Sequence, residues 1–186
     1  MTEKEKMLNG EMYYPYPDKE LEEERQICKQ ICHLHNHLSP KETEDRQNLL
    51  KNLLGKIGDS FWIEQPFLCD YGYNIEIGDK FYANHNLTIL DPAKVTFGDN
   101  VFIGPNCSFY TAMHPLDAKK RITGIEWAEP ITVGNNVWFG GGVIVLPNVK
   151  IGDNAVIGAG SVVTKDIPPN CVAVGNPCKV IKKIEN

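Results

Sequence analysis

The C-terminal half of the chain repeats itself every six residues. Val133, Phe139, Val145, Ile151, Ile157 and Val163 stand six apart, and Gly134, Gly140, Gly152 and Gly158 each follow one of them. A helix places apolar residues three and four apart, and a hairpin strand alternates over one short run. Neither sustains a fixed six-residue step over this distance. The step fits a coil that repeats one short strand and one turn, with an inward apolar residue per strand and a small residue where the chain bends. Such coils bury their apolar faces only against the coils above and below, so the predicted fold is a solenoid.

The period extends toward the N-terminus. Phe97, Ile103 and Phe109 keep the same phase, whereas Ile77, Ala83 and Ile89 run two residues out of it, which requires a slip near Pro92. Between Tyr110 and Pro130 the pattern lapses into TAMHPLDAKKRITGIEWAE and then returns in phase. Irregular segments of this length in a compact fold are usually functional or disordered. This one reads as an extruded loop over 111–130.

The first sixty residues or so follow another pattern. Thr2 and Glu5 have capping-box spacing before a short helix that Gly10 ends. Asp18 caps a second predicted helix reaching about His37, and Ser39–Pro40 starts a third that Gly55 stops. The expected division is a helical region over 1–57 followed by a β-helix domain over 58–186, joined near Ile57 to Trp62.

Charge and cysteine content narrow the function classes. With 19 basic and 24 acidic residues the formal charge is −5, so no bulk attraction to nucleic acid or anionic membrane is expected. No run reaches the roughly 20 apolar residues of a membrane span. The opening MTEKEKMLNG lacks the apolar core of a signal peptide. Six cysteines without an export signal read as reduced thiols, and the expected compartment is the cytoplasm.

His114, in the extruded loop and followed by Pro115, is the sharpest candidate for chemistry. Imidazole titrates near neutrality, which suits a general base for a hydroxyl nucleophile. A solvated loop histidine is the competing reading. Lys165, Lys179, Lys182 and Lys183 gather near the C-terminus of an otherwise acidic chain and suit a phosphate-bearing ligand; a solvated lysine tail is the plainer alternative. Gly140, Gly141 and Gly142 admit close approach and can aim an amide at a developing oxyanion, or are simply coil corners. Gly140 holds the repeat's glycine place, which leaves Gly141 as the functional candidate.

Taken together, TEKEKMLNGEMY, YGYNIEIGDKFYANHNLTILD, TAMHP, the long block from Pro130 to Asn170 and VGNPCKVIKKI resemble the maltose and galactoside O-acetyltransferase family of hexapeptide-repeat acyltransferases. The resemblance covers essentially the whole chain. It implies a left-handed parallel β-helix, a homotrimer with active sites between subunits, and acetyl transfer from acetyl-CoA to a sugar hydroxyl. It also implies roles for single residues. His114 matches the catalytic histidine, Asp18 and Arg25 match acceptor-contacting residues, Asp70 stands near the sugar, and Asn84 matches the asparagine beside the histidine. Asp91 is grouped with the acceptor side and is, with Glu126, a candidate to orient His114. On the donor side Gly141, Ala159, Thr164 and Lys165 match CoA-contacting positions, and Trp138 lies in the family string NNVWFG. Lys179 and Lys182 stand where some relatives carry arginine near the CoA 3′-phosphate. One branch has serine at the position of Gly141 and arginine at those two lysines. The lysines keep the charge but lose the bidentate fork.

No metal is expected for this chemistry. Cys28 and Cys32, with His33, His35 and His37 nearby, look like a metal cluster, but helical spacing puts only Cys28, Cys32 and His35 near one face, short of four ligands. Cys107 and Cys178 read as packing residues. A zinc lyase on the same coil needs three histidines, and only His85 and His114 lie in the coil region. Other readings are acetylation of an amino sugar or a xenobiotic, and a non-catalytic trimeric scaffold.

Overall fold

The computed structural model describes residues 1–185. Helix α1 (Glu3–Leu8) opens on a capping box: the Thr2 hydroxyl accepts the Glu5 N–H, and the Glu5 carboxylate accepts the Thr2 N–H. Asp18 caps α2 (Lys19–His37) by accepting the Leu21 N–H at 2.9 Å. The buried residues of α2 are Leu21, Arg25, Cys28, Cys32 and His35, a stripe with steps of four and three that faces the coil. Helix α3 (Thr43–Leu53) begins later than the Ser39–Pro40 signal suggests. Glu42 donates its N–H to the Ser39 carbonyl at 2.9 Å, and its carboxylate accepts the Ser39 N–H at 2.7 Å. Those bonds close residues 39–42 into a turn, and the helix starts after it.

From Lys56 the chain winds into a three-faced coil. The first face stacks strands 56–57, 75–77, 95–97, 131–133 and 150–151 in parallel. The second stacks 61–63, 81–83, 102–103, 138–139, 156–157 and 171–174, and strand 179–183 adds antiparallel at its end. The third stacks 67–69, 87–90, 108–110, 144–145 and 162–163. Residues whose partners lie above and below bury every second side chain inward, hence the buried–intermediate–buried pattern of Ile75–Ile77 and Phe81–Ala83. Phe81, Phe97, Phe109 and Phe139 descend through the core with successive ring centroids 5.3, 5.0 and 5.3 Å apart, edge to face.

The phase slips are corner insertions. Ile57 pairs with Ile77 and Ile77 with Phe97, twenty residues per turn, whereas Val133 pairs with Ile151, eighteen residues on. The slip at Pro92 is therefore one of two; the other lies between Cys69 and Ile75. At the far end Ile151 bridges Ile167 after only sixteen residues, where the coil tightens before its last strand.

The repeat glycines do a different job from the one the sequence suggests. Gly134, Gly140, Gly152 and Gly158 are not the left-handed corner residues. Those conformations fall to Lys80, Asn86, Asn100, Asn106, Asn136, Asn148, Asn154 and Asn170, with φ between 55° and 62°, and to Gly142 and Gly160 at 70°. Asparagine tolerates this region because its short side chain bonds locally. Here the side chains also bond coil to coil: Asn100 donates to Asn136, Asn136 to Asn154, and Asn154 to Asn170. The repeat glycines are small for another reason. A Cβ on Gly140 would meet the Ala159 nitrogen at 2.6 Å, so adjacent coils would have to separate.

The turns divide the prism into three edges. The edge joining the second to the third face carries 84–86, 104–106, 140–142 and 158–160. The edge joining the third to the first carries 70–74, 91–94, the extruded loop, and 164–166. The extruded loop pairs 112–113 with 127–128 antiparallel and holds a short helix, α4 (Ala118–Arg121). The remaining edge carries the asparagine ladder.

Candidate active site

His114 leaves the short strand 112–113 with its side chain half exposed, and its Nε2 lies 3.6 Å from Glu126 Oε2. That is an ion-pair distance, longer than a hydrogen bond. Glu126 sits on the returning side of the same loop and is largely covered. Its other oxygen accepts the hydroxyl of Tyr13, and the two residues exchange backbone bonds, Tyr13 N–H to Glu126 O at 2.9 Å and Glu126 N–H to Tyr13 O at 3.0 Å. The segment between α1 and α2 thus clamps the loop. Burial, reinforced by Glu126, holds the Tyr13 phenol well above its ordinary range, so Tyr13 keeps its proton and donates it. The result is a chain of contacts, Tyr13 to Glu126 to His114, assembled from the helical region and the loop.

Next to it is a partly buried polar wall. Arg25 donates to the Tyr71 hydroxyl at 2.6 Å and to the Pro15 carbonyl at 2.9 Å, and its guanidinium lies 4.3 Å from the Tyr16 ring centroid. Asp70 is held above the usual carboxylate range chiefly by burial; Arg25 pulls it back, and the Glu126 charge adds to the rise. Asp18 keeps one carboxylate oxygen on the Leu21 N–H. These residues present fixed donors and acceptors of the kind a polyhydroxylated ligand needs.

Asp91 takes another role than the acceptor contact or orienting group expected for it. It is fully buried, and its carboxylate accepts the N–H groups of Asp70, Tyr71 and Gly72 at 3.0, 2.9 and 2.8 Å. Burial pushes its carboxyl up to about 7 against the pull of those amides. With every short bond spent on the inserted corner, Asp91 shapes the turn that carries Asp70. Of the two orienting candidates, Glu126 is the one in contact with His114.

Of the donor-side residues, Trp138, Gly141 and Ala159 lie elsewhere on the prism. Trp138 is exposed on the second face, in register with Phe102 and Val156. With Tyr82, Asn84, Ile103 and Gly104 it lines an apolar groove of about 480 Å³. Asn84, Gly141 and Ala159 follow one another down the edge beside that groove. A Cβ on Gly104 would come within 2.6 Å of the Gly141 nitrogen, so glycine there leaves this amide uncovered. Among the described residues, no protein acceptor takes the Gly141 N–H. Thr164 and Lys165 are exposed on the other edge, which also bears Asp70 and the loop of His114. Lys179 and Lys182 are exposed on the added strand 179–183.

One chain therefore does not bring the expected residues together. His114, Asp70 and the chain of contacts occupy one edge, and Asn84, Gly141 and Ala159 occupy another. His85 also stands on the second of these edges, with its Nδ1 on the Gln65 carbonyl at 2.6 Å, so the two coil histidines do not converge. Tyr13, Tyr16 and Tyr71 were not anticipated. Tyr13 and Tyr16 lie in the tyrosine–proline run at 13–17, which carries no period, Tyr71 lies in a corner outside the strands, and their partners are up to 113 positions away in sequence.

The fold and this constellation define a class, the hexapeptide-repeat acyltransferases. Residues 6–58 match the maltose acetyltransferase hexapeptide capping motif, and residues 130–165 match the bacterial transferase hexapeptide (six repeats). The galactoside O-acetyltransferase of Escherichia coli is 49% identical over 166 residues, which is 89% of this chain and 82% of that protein. The crystal structure of a maltose O-acetyltransferase from Clostridium difficile 630 superposes with a TM-score of 0.98 at 55% identity, covering 100% of this chain and 99% of the other. A galactoside acetyltransferase in complex with coenzyme A superposes with a TM-score of 0.95 at 46% identity, covering 100% and 92%. The chain belongs to the maltose and galactoside O-acetyltransferase family, and it is an acetyltransferase.

Proposed function

We propose that this acetyltransferase moves the acetyl group of acetyl-CoA to a hydroxyl of a sugar, with His114 as general base. The observation that carries the reading is the imidazole backed by Glu126 and Tyr13 beside the partly buried Arg25–Asp70 wall. Glu126 favours an N–H on the ring nitrogen it faces and leaves the other nitrogen its lone pair. That nitrogen takes the hydroxyl proton as the sugar oxygen attacks the thioester carbonyl carbon. The oxyanion of the tetrahedral intermediate is stabilised by the Gly141 N–H. Collapse breaks the C–S bond, and the imidazolium returns its proton to the departing CoA sulfur. No covalent enzyme intermediate is needed.

The separation of the two edges fits a site shared between copies, as expected of a homotrimer. The groove of Trp138 and the edge of Asn84, Gly141 and Ala159 on one copy would face the His114 edge of the next. The apolar groove suits pantetheine. Thr164, Lys165, Lys179 and Lys182 supply polar and cationic contacts toward the nucleotide phosphates, Lys as a point charge without the Arg fork.

The test is thiol release from acetyl-CoA with a panel of mono- and disaccharides, amino sugars and xenobiotic alcohols. Turnover is expected with sugars. His114→Ala is expected to lower kcat by roughly 10²–10⁴-fold. A variant with unchanged turnover removes His114 from the mechanism, and no thiol release with any acceptor sinks the reading as a whole.

A further inference from the structure

Three of the six cysteines meet in the core, behind the Arg25–Asp70 wall. Cys28 and Cys32 belong to the inward stripe of α2, and Cys69 ends strand 67–69 of the third face. The Cys69 sulfur lies 3.4 Å from that of Cys28 and 3.8 Å from that of Cys32, and all three fall within 4.8 Å of one another. Cys28 and Cys32 are 1% exposed and Cys69 is 7% exposed. Thiolates held at about 2.3 Å around a tetrahedral zinc stand about 3.8 Å apart, so this triangle has the size of one face of such a site. Helical spacing shows the first two; only the docking of α2 on the coil adds the third.

A fourth donor stands on the same stripe of α2, outside the 4.8 Å cluster of sulfurs. His35 is fully buried, and its Nε2 has no hydrogen-bond partner. The neighbouring amide fixes its tautomer. Asn36 donates its Nδ2–H to the Phe67 carbonyl and accepts the Phe67 N–H on Oδ1, both at 2.9 Å, so its orientation is set. The same Oδ1 lies 3.0 Å from His35 Nδ1, which must then carry the hydrogen. Nε2 is left as a bare lone pair in the interior, the state a metal-bound imidazole requires, with the other nitrogen held by a carbonyl as in known metal sites. A buried acceptor without a partner costs free energy, and a cation relieves it.

We propose that Cys28, Cys32 and Cys69 bind one thiophilic divalent cation of the zinc class, and that the His35 ring, whose nitrogens stand outside the 4.8 Å cluster of sulfurs, turns in on binding as the fourth ligand. Binding exchanges three S–H protons, released to buffer, for three metal–thiolate bonds. With His35 turned in, all four ligands are protein groups, so the role is structural: the ion pins α2 to the first coil. Arg25 lies three residues before Cys28, and Asp70 directly follows Cys69. The site therefore sits immediately behind the polar wall and fixes its two sides relative to each other.

The test uses the full chain, reduced and anaerobic, titrated with Co²⁺ and then Zn²⁺. One ion per chain is expected, with the visible bands of tetrahedral cobalt and near-ultraviolet sulfur-to-cobalt charge transfer that zinc abolishes. Cys69→Ser is expected to reduce the charge-transfer intensity and weaken binding on the order of tenfold or more, the size that even supporting contacts carry. His35→Gln should alter the visible bands, and Cys107→Ser should change nothing. Because a core variant can fail to fold, alkylation of the wild-type chain in mild denaturant provides a second measurement. Zinc is expected to protect Cys28, Cys32 and Cys69 and to leave Cys107, Cys171 and Cys178 unprotected. Absence of stoichiometric cobalt or zinc binding, binding undiminished in a folded Cys69→Ser chain, or protection spread evenly over all six thiols overturns the proposal.

Discussion

Glu126 is the residue through which the helical region reaches the imidazole. One of its carboxylate oxygens faces His114 and the other accepts from Tyr13, so its position is fixed from both sides. Glu126→Gln keeps the shape but removes the charge that would stabilise an imidazolium. It is expected to lower kcat by roughly ten- to hundredfold, less than loss of the base itself, with little change in KM for acetyl-CoA. Tyr13→Phe removes one donor from Glu126 and leaves the ring packed. It should move kcat in the same direction by less, and cost about 1 kcal/mol of stability in denaturant titration. Equal kinetics in Glu126→Gln and the parent chain would reduce Glu126 to a loop clamp.

Among the elements, the coil owes its rigidity to repetition across the axis. The phenylalanine file runs through three turns, and Phe109, fully buried, touches Phe97 on one side and Phe139 on the other. Each ring is held by neighbours from other coils, which cannot collapse into a gap without shifting their own backbone. Phe109→Ala is therefore expected to destabilise by about 3–5 kcal/mol, measured as a fall in the denaturation midpoint. A loss near 1 kcal/mol would mean the core repacks. Phe109 also lies in the strand 108–110 that feeds the extruded loop, so activity should fall below what folding alone explains. The loop itself is anchored by strand pairing 112–113 to 127–128 and by Tyr13. Composition offered no sign of that order, because its bonds run to a segment about a hundred positions earlier in the sequence.

At the level of the whole molecule, residues of the proposed reaction stand on two edges of one prism. If the site forms between copies, His114→Ala and Asn84→Ala chains unfolded and refolded together should regain activity that neither has alone. Random mixing in a cyclic assembly gives about a quarter of the parental sites both intact residues. No regain would place the full site within one chain. How far this was readable from residues differs by feature. The six-residue step determined the solenoid, since a strict period of inward side chains has only one way to bury itself. The Asp18 cap and the Thr2–Glu5 box determined helix starts, because their bonds span three residues. The histidine in the loop was visible because the period breaks there. The second corner insertion escaped notice because it falls before the period is established, and the start of α3 was misplaced because Glu42 competes for Ser39 locally. The choice of Glu126 over Asp91, the Tyr13–Glu126 contact, the separation of the two edges and the meeting of Cys69 with Cys28 and Cys32 were decided by tertiary structure alone. Each depends on where a helix and a loop dock on the prism, and docking joins residues that no spacing along the chain relates.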